Sequence, residues 1–199
     1  QLSIFSILGL ILVFLKYPVH SKFSDSVFAQ ILDLIFAFFV IVSFGYILIQ
    51  TEPMFQGFWI DNQSLGNRAG AEQSIDYKIA LIGILLVLEA TRRAIGLSLP
   101  ILAVIFLVYA AFGFVFPDWL FPHKGYSLER IASQVFLHSQ GVFGIALKVM
   151  FTYVFLFVLF GTLLEKTGTT KYIISFARNL FRSSLGGPAK VAVIGSGMM

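Results

Sequence analysis

The sequence contains no cysteine, and it carries few charged residues for its length. The absence of cysteine excludes disulfides, thiolate metal sites and cysteine nucleophiles. Charged residues make up 12% of the 199 positions, whereas soluble domains carry roughly 25%. In contrast, 58% of the residues are hydrophobic and the mean hydropathy is +0.89. This composition predicts an integral membrane protein.

The sequence also lacks the alternation of apolar and polar residues that a membrane β-barrel requires. Its 23 phenylalanines fall inside long uncharged runs. Barrel strands instead alternate lipid-facing and lumen-facing residues. We therefore expect an all-α integral membrane protein.

Residues for metal binding and catalysis are sparse. His20, His123 and His138 are far apart and form no i, i+4 ligand pair, so no metal site is predicted. The sequence contains no recognisable Ser-His-Asp triad or pair of catalytic carboxylates. The net charge of +4 reflects basic residues at the ends of apolar runs, which topology explains better than nucleic-acid binding does. We expect neither an enzyme nor a nucleic-acid-binding protein, and no bound cofactor.

Apolar runs predict about five transmembrane helices and part of a sixth. Pro53, Pro117 and Pro122 end two of these runs, while Pro100 lies in the first turns of another. The first run is shorter than the roughly 20 residues that a spanning helix needs, so we interpret it as a shortened span. The predicted spans are residues 2–15, 27–49, 75–91, 95–116, 142–164 and a partial one after residue 186.

Two shorter segments, residues 127–139 and 171–182, are predicted to be amphipathic helices lying along the membrane surface. In the first, the apolar face comprises Leu128, Ile131, Ala132 and Val135, and the polar face comprises Glu129, Arg130, Ser133 and Gln134. In the second, the apolar face comprises Ile173, Ile174, Ala177, Leu180 and Phe181, and the polar face comprises Ser175, Arg178, Asn179 and Arg182.

The loop charges predict an orientation in the membrane. If the loop containing Lys16 and Lys22 is cytoplasmic, alternation of the spans places most of the other basic residues on the same side. These residues are Arg92, Arg93, Lys166, Lys171, Arg178, Arg182 and Lys190. The opposite side receives most of the acids, which are Glu52, Asp61, Glu72, Asp76, Asp118 and Glu129. This asymmetry agrees with the positive-inside rule and predicts a multi-pass protein of the inner membrane.

Five ionisable residues in or beside apolar runs are candidate structural or interfacial charges. Glu89 can pair locally with Arg92 at i+3 and Arg93 at i+4, although a role in transport is an alternative. Asp33 fits either a structural or interfacial position, or a helix contact with function. Lys148 can extend its charge to the headgroups. No catalytic, metal or substrate-binding residue is assigned.

Four blocks of sequence resemble the fused permeases of TRAP transporters, most closely those of the TAXI type. The blocks are EATRRAIGLSLPILAVIFLVYAAFG, GYSLERIASQVFLHSQGVFGIAL, FVLFGTLLEKTG and GGPAKVAVIGSG. They start at Glu89, Gly125, Phe157 and Gly186, and they occur in the family's order. The resemblance covers residues 27–199, and Lys148 differs from the small or polar residue expected at its position.

The resemblance implies a secondary transporter that receives an organic anion, a carboxylate, from a periplasmic binding protein and uses a sodium or proton gradient. It implies that residues 1–124 form a four-helix region similar to the small subunit. Residues 125–199 would then begin the large transport region, which would be truncated within a helix. The family's ion and substrate sites lie beyond the matching blocks, so we expect this chain alone to be inactive. A membrane scaffold or partner subunit is the alternative.

Overall fold

The computed structural model describes residues 1–18, 27–117, 121–181 and 186–197. His20, Lys22, Asp118 and Arg182, which entered the sequence predictions, lie outside these ranges. The described residues form helices and connecting turns, without a β-strand, so the all-α prediction is confirmed. The longer helices are α1 (Leu2–Lys16), α2 (Val27–Thr51), α3 (Ser74–Ile95), α4 (Ser98–Ala111), α7 (Phe155–Lys166), α8 (Thr169–Phe181) and α9 (Gly187–Gly197).

Helices α1, α2 and α3 pack against one another around an aromatic core. Phe14 of α1 stacks on Phe36 of α2, with ring centroids 5.3 Å apart. Farther along α2, Val40 and Phe44 are completely buried. Long apolar runs form helices here because each helix satisfies its own backbone hydrogen bonds while burying the side chains of one face.

Helix α3 is longer than predicted and α4 is shorter. The fourth predicted span, residues 95–116, is wrong as a single helix, because α4 covers only Ser98–Ala111. Gly96 has φ +104°, a conformation outside the helical region, so α3 ends before it. Gly113–Val115 forms a separate 3₁₀ turn. The 14 residues of α4 extend about 21 Å, less than the roughly 30 Å of a bilayer's hydrocarbon core. Pro100 does lie in the first turn, as predicted.

The first amphipathic segment packs against α3. It consists of α5 (Leu128–Ala132), followed directly by a π-helical turn, Ser133–Leu137. A Cβ added to Gly83 of α3 would lie 2.0 Å from Cζ of Phe136, so only glycine accommodates this ring. Phe136 also contacts Phe44 edge to face at 5.1 Å. The segment is therefore part of the helical core.

The face assigned to this segment from its sequence is partly wrong. Ser133, which the pattern assigns to the polar face, is buried, whereas Leu128 of the apolar face is exposed. The physical reason is that the Glu72 carboxylate accepts a hydrogen bond from the Ser133 hydroxyl.

Residues 149–199 form the second of two compact units, after Gln1–Lys148. Within it, α8 contacts both α7 and α9. Ala177 of α8 is buried and Arg178 is exposed, as the amphipathic pattern predicts, although Leu180 is exposed too. Gly186 has φ +74° immediately before α9, a left-handed conformation that glycine adopts readily.

Among the described residues, two helices are long and apolar enough to cross a membrane, Val27–Thr51 and Ile145–Lys166. The second comprises α6 (Ile145–Val149), a π-helical turn at Met150–Val154 and α7. Helix α1 is apolar but has only 15 residues, and α3 carries charges in its first and last turns. The predicted number of spans therefore stays a prediction, as does the boundary between residues 124 and 125.

Candidate functional site: ion networks at the two ends of α3

A buried ion pair lies at the start of α3. Asp76, in the first turn, is fully buried, and its Oδ2 lies 3.3 Å from Nη1 of Arg68. Arg68 comes from the loop before α3, and its side chain is 3% exposed. Tyr46 of α2 donates its hydroxyl hydrogen to Asp76 Oδ1, while Gln50 Oε1 accepts from Arg68 Nη2 at 3.1 Å. We call these residues, with Glu72 described below, the N-terminal network.

Two further interactions of the N-terminal network explain why α3 begins here. The backbone N–H of Gln73 donates to Asp76 Oδ2 at 2.7 Å, so the carboxylate caps one of the helix's unsatisfied donors. Its negative charge also lies at the positive end of the helix dipole.

Gln50 orders the loop between α2 and α3. Its Nε2 donates to the carbonyl of Phe58 at 3.0 Å, and its Oε1 accepts from the backbone N–H of Ile60 at 3.2 Å. Its own carbonyl accepts from the N–H of Leu65 at 2.9 Å. One amide side chain thus holds the short 3₁₀ segments Pro53–Phe58 and Ile60–Asn62 against the end of α2.

Glu72 connects this loop to the segment that follows α5. Its Oε1 accepts hydrogen bonds from Ser133 Oγ and from His138 Nε2, the latter at 2.9 Å. Its Oε2 accepts from the backbone N–H of Gly70 at 3.0 Å and from the Tyr77 hydroxyl at 3.3 Å. Since an ionised carboxylate can only accept, His138 carries its hydrogen on Nε2.

The hydrogen bonds to Glu72 keep its carboxylate charged. Burial of the side chain, which is 3% exposed, raises its pKa. The hydrogen bonds from Ser133 and His138 outweigh that effect and lower the pKa of Glu72 to about 2. Glu72 is therefore ionised throughout the physiological pH range.

The opposite end of α3 carries four charges, Asp33, Glu89, Arg92 and Arg93, which we call the C-terminal network. Arg92 Nε and Nη2 donate to the two oxygens of Glu89, each at 2.7 Å. Arg93 Nε donates to Glu89 Oε1 at 2.8 Å, and its Nη1 donates to Asp33 Oδ1 at 2.6 Å. Asp33 belongs to α2, so this network connects two helices.

Arg93 is the most buried charge of the C-terminal network, with a side chain only 1% exposed. Its guanidinium carbon lies 4.8 Å from the ring centroid of Phe14 and 5.0 Å from that of Phe36. Nη1 also donates to the carbonyl of Tyr17, just after α1, at 3.2 Å. Arg93 thus contacts residues of all three of the first helices, and aromatic rings replace part of its lost hydration.

The structure brings together four of the five candidate charges. The predicted contacts of Glu89 with Arg92 and Arg93 are present, and Asp33 forms the helix-to-helix contact that was one of its two interpretations. Lys148 belongs to neither network and is exposed on α6. The interfacial or functional roles of all five residues stay predictions.

Sequence reasoning missed the N-terminal network. Glu72 and Asp76 enter the sequence prediction only as acids on one side of the membrane. A signal was available for Asp76, because an acidic residue three positions after a polar one at a helix start indicates a cap. No local signal connects Glu72 with Ser133 and His138, which lie 61 and 66 positions away.

The two networks hold α3 in place, because their charged groups bind to one another and to neighbouring helices. The described residues form an all-α protein in which two helices are long and apolar enough to cross a membrane. Residues 82–199 match the family described as the Tripartite ATP-independent periplasmic transporter, DctM component. This range is more than half of the sequence, so the chain belongs to the DctM family of TRAP transporter permeases. No curated protein and no solved structure matches the chain.

Proposed function

We propose that this chain is part of a secondary active transporter that takes up an organic anion across the inner membrane. The observation that carries the proposal is the DctM match over residues 82–199. In this proposal the substrate is a carboxylate delivered by a periplasmic binding protein, and a sodium or proton gradient drives uptake. The similarity of the four sequence blocks supports assignment to the TAXI type.

The geometry of α3 supports a multi-pass arrangement. Its 22 residues extend about 33 Å, enough to cross a hydrocarbon core of about 30 Å. Between Lys78 and Glu89 the helix carries no charge. Buried charges are expensive in lipid, so a helix with ion networks at both ends and an apolar middle is suited to span the membrane.

Residues 1–124 are proposed to act as the small-subunit-like region that supports the transport region. Transporter substrate sites are built from broken helices of two repeats near the membrane midplane. Neither network has that construction, because both lie at the ends of one continuous helix. The charges that form them are therefore proposed to position α3 and not to bind the transported anion.

Uptake in proteoliposomes tests this function. The permease that contains these 199 residues is reconstituted with its periplasmic binding protein, and a labelled organic acid is added outside. We expect uptake that requires both the binding protein and an inward ion gradient, and that stops when an ionophore collapses the gradient. The 199 residues alone are expected to give none. Uptake that persists without the binding protein or the gradient would contradict the proposal.

A membrane scaffold is the second candidate function. The observation that favours it is the N-terminal network, all five of whose residues lie outside the matched range and serve to join helices. If residues 1–124 only hold another protein, breaking the network should release that partner from the permease. The substrate specificity should then stay unchanged. Co-purification and uptake, measured on the same variants, distinguish the two functions.

A further inference from the structure

An apolar groove on the surface of α3 ends at two residues of the C-terminal network. It has a volume of about 510 Å³ and lies between α2, α3 and α4. Phe36 and Phe39 form one wall, Ile82 and Leu85 another, and Pro100 contributes from α4. The groove is almost entirely apolar, except that Glu89 and Arg92 lie at one end.

We propose that this groove binds one phospholipid, with an acyl chain along the apolar walls and the headgroup at Glu89 and Arg92. The inference goes beyond the proposed transport function. It requires that α3 crosses the membrane, but it does not depend on which solute is carried.

The length of the groove supports a lipid as its occupant. The lining residues of α3 run from Ile82 to Arg92, a rise of about 15 Å along the helix. This equals one leaflet, or half of a hydrocarbon core of about 30 Å. The charged end therefore lies at headgroup level when the apolar part lies among the acyl chains.

The charges at the end of the groove favour a zwitterionic headgroup that carries an amine. The C-terminal network contains two acids and two arginines, so its own charges balance and give no preference for an anionic headgroup. Arg92 is 35% exposed and can reach a phosphate, a group that arginine binds well.

Glu89 can accept a hydrogen bond from the amine of the same headgroup. Within the described part of the chain, its carboxylate accepts three N–H bonds, from Arg92 and Arg93, and a carboxylate has about four acceptor positions. One position is thus available for a primary ammonium, whereas a trimethylated ammonium cannot donate to it. Phosphatidylethanolamine has the required combination of phosphate and primary amine.

Native mass spectrometry of the purified protein tests this assignment. Phosphatidylethanolamine, phosphatidylcholine and phosphatidylglycerol with identical acyl chains are added separately at equal concentration. We expect one ethanolamine lipid per chain, retained about tenfold more strongly than the other two, because one charge-assisted hydrogen bond has an effect of that order. Equal retention of the three lipids, or preference for the glycerol lipid, would overturn the headgroup assignment.

Matched variants locate the site. Leu85→Trp fills the groove at a position that is 65% exposed, so the core is not overpacked, and it should abolish the bound lipid. Ile105→Trp on α4, at a position that is 57% exposed and does not line the groove, is the control and should retain it. Arg92→Gln should weaken retention of all three lipids. If the Leu85→Trp variant retained as much lipid as the wild type, the site would be overturned. A change in the oligomeric mass of this variant without loss of lipid would overturn it too.

Discussion

The two ends of α3 are both stabilised by charged networks, but the networks come from different parts of the chain. At the C-terminal end, three of the four charges come from consecutive turns of α3 itself, and only Asp33 comes from another helix. At the N-terminal end, the contacts come from α2, the preceding loop and the segment after α5. The comparison shows that a helix end can be stabilised locally or by tertiary contacts, and that only the local solution can be deduced from sequence.

The two networks also place charges of opposite sign at the two ends of the helix dipole of α3. Asp76 lies in the first turn of α3, and Arg92 and Arg93 lie in its last turn. Acids are favourable near a helix N-terminus and bases near a C-terminus. The helix is thus stabilised at both ends by its own charges, while the networks determine which neighbours it contacts.

The largest effect is expected from Asp76→Ala. This change leaves Arg68 as a buried, unpaired charge, which costs about 3–5 kcal/mol of unfolding free energy. Unfolding in detergent, followed by tryptophan fluorescence, measures the loss. The control is the double variant Arg68→Leu and Asp76→Leu, which removes both charges and should recover most of the stability. Equal losses in the single and double variants would contradict a buried ion pair.

A smaller effect is expected at the other end, from the contact between Asp33 and Arg93. A double-mutant cycle with Asp33→Asn and Arg93→Gln should give a coupling energy of about 2 kcal/mol, because the two side chains share a short, nearly buried hydrogen bond. The same unfolding measurement applies. Additive losses would show that α2 and α3 are not joined by this pair.

Acid should weaken the N-terminal network through Glu72. Its pKa is lowered to about 2 in the folded protein, so its contribution to stability is complete above the unfolded value of about 4.3. The contribution declines as the pH falls from about 5 toward 2. Glu72→Gln should flatten this part of the stability curve, and an unchanged acid slope would disagree with the assigned hydrogen bonds.

The smallest effect is expected from Arg92→Gln. The side chain is partly exposed, and Glu89 keeps its contact with Arg93, so the expected loss is about 0.3–1 kcal/mol. Arg93→Gln serves as the comparison and should cost more. Equal losses of unfolding free energy in the two variants would contradict the claim that burial makes Arg93 contribute more.

Part of this account could be predicted from the sequence. The contacts of Glu89 with Arg92 and Arg93 follow from helical spacing. Ser133 was misplaced because its acceptor, Glu72, lies 61 positions earlier. The end of α4 at Ala111 was missed because apolar composition alone does not mark where a helix stops. Of these cases, only the position of Ser133 is explained by a contact between residues distant in sequence.

The central claim is that the two ends of α3 lie on opposite sides of the membrane. Because the native sequence contains no cysteine, the variants Ala71→Cys and Ala94→Cys each carry a single thiol, and both positions are exposed. A membrane-impermeant maleimide is applied to intact cells from the periplasmic side. We predict that the thiol at position 71 is labelled directly and that the one at position 94 is labelled only after the membrane is permeabilised. Labelling of both thiols from the same side would contradict the account.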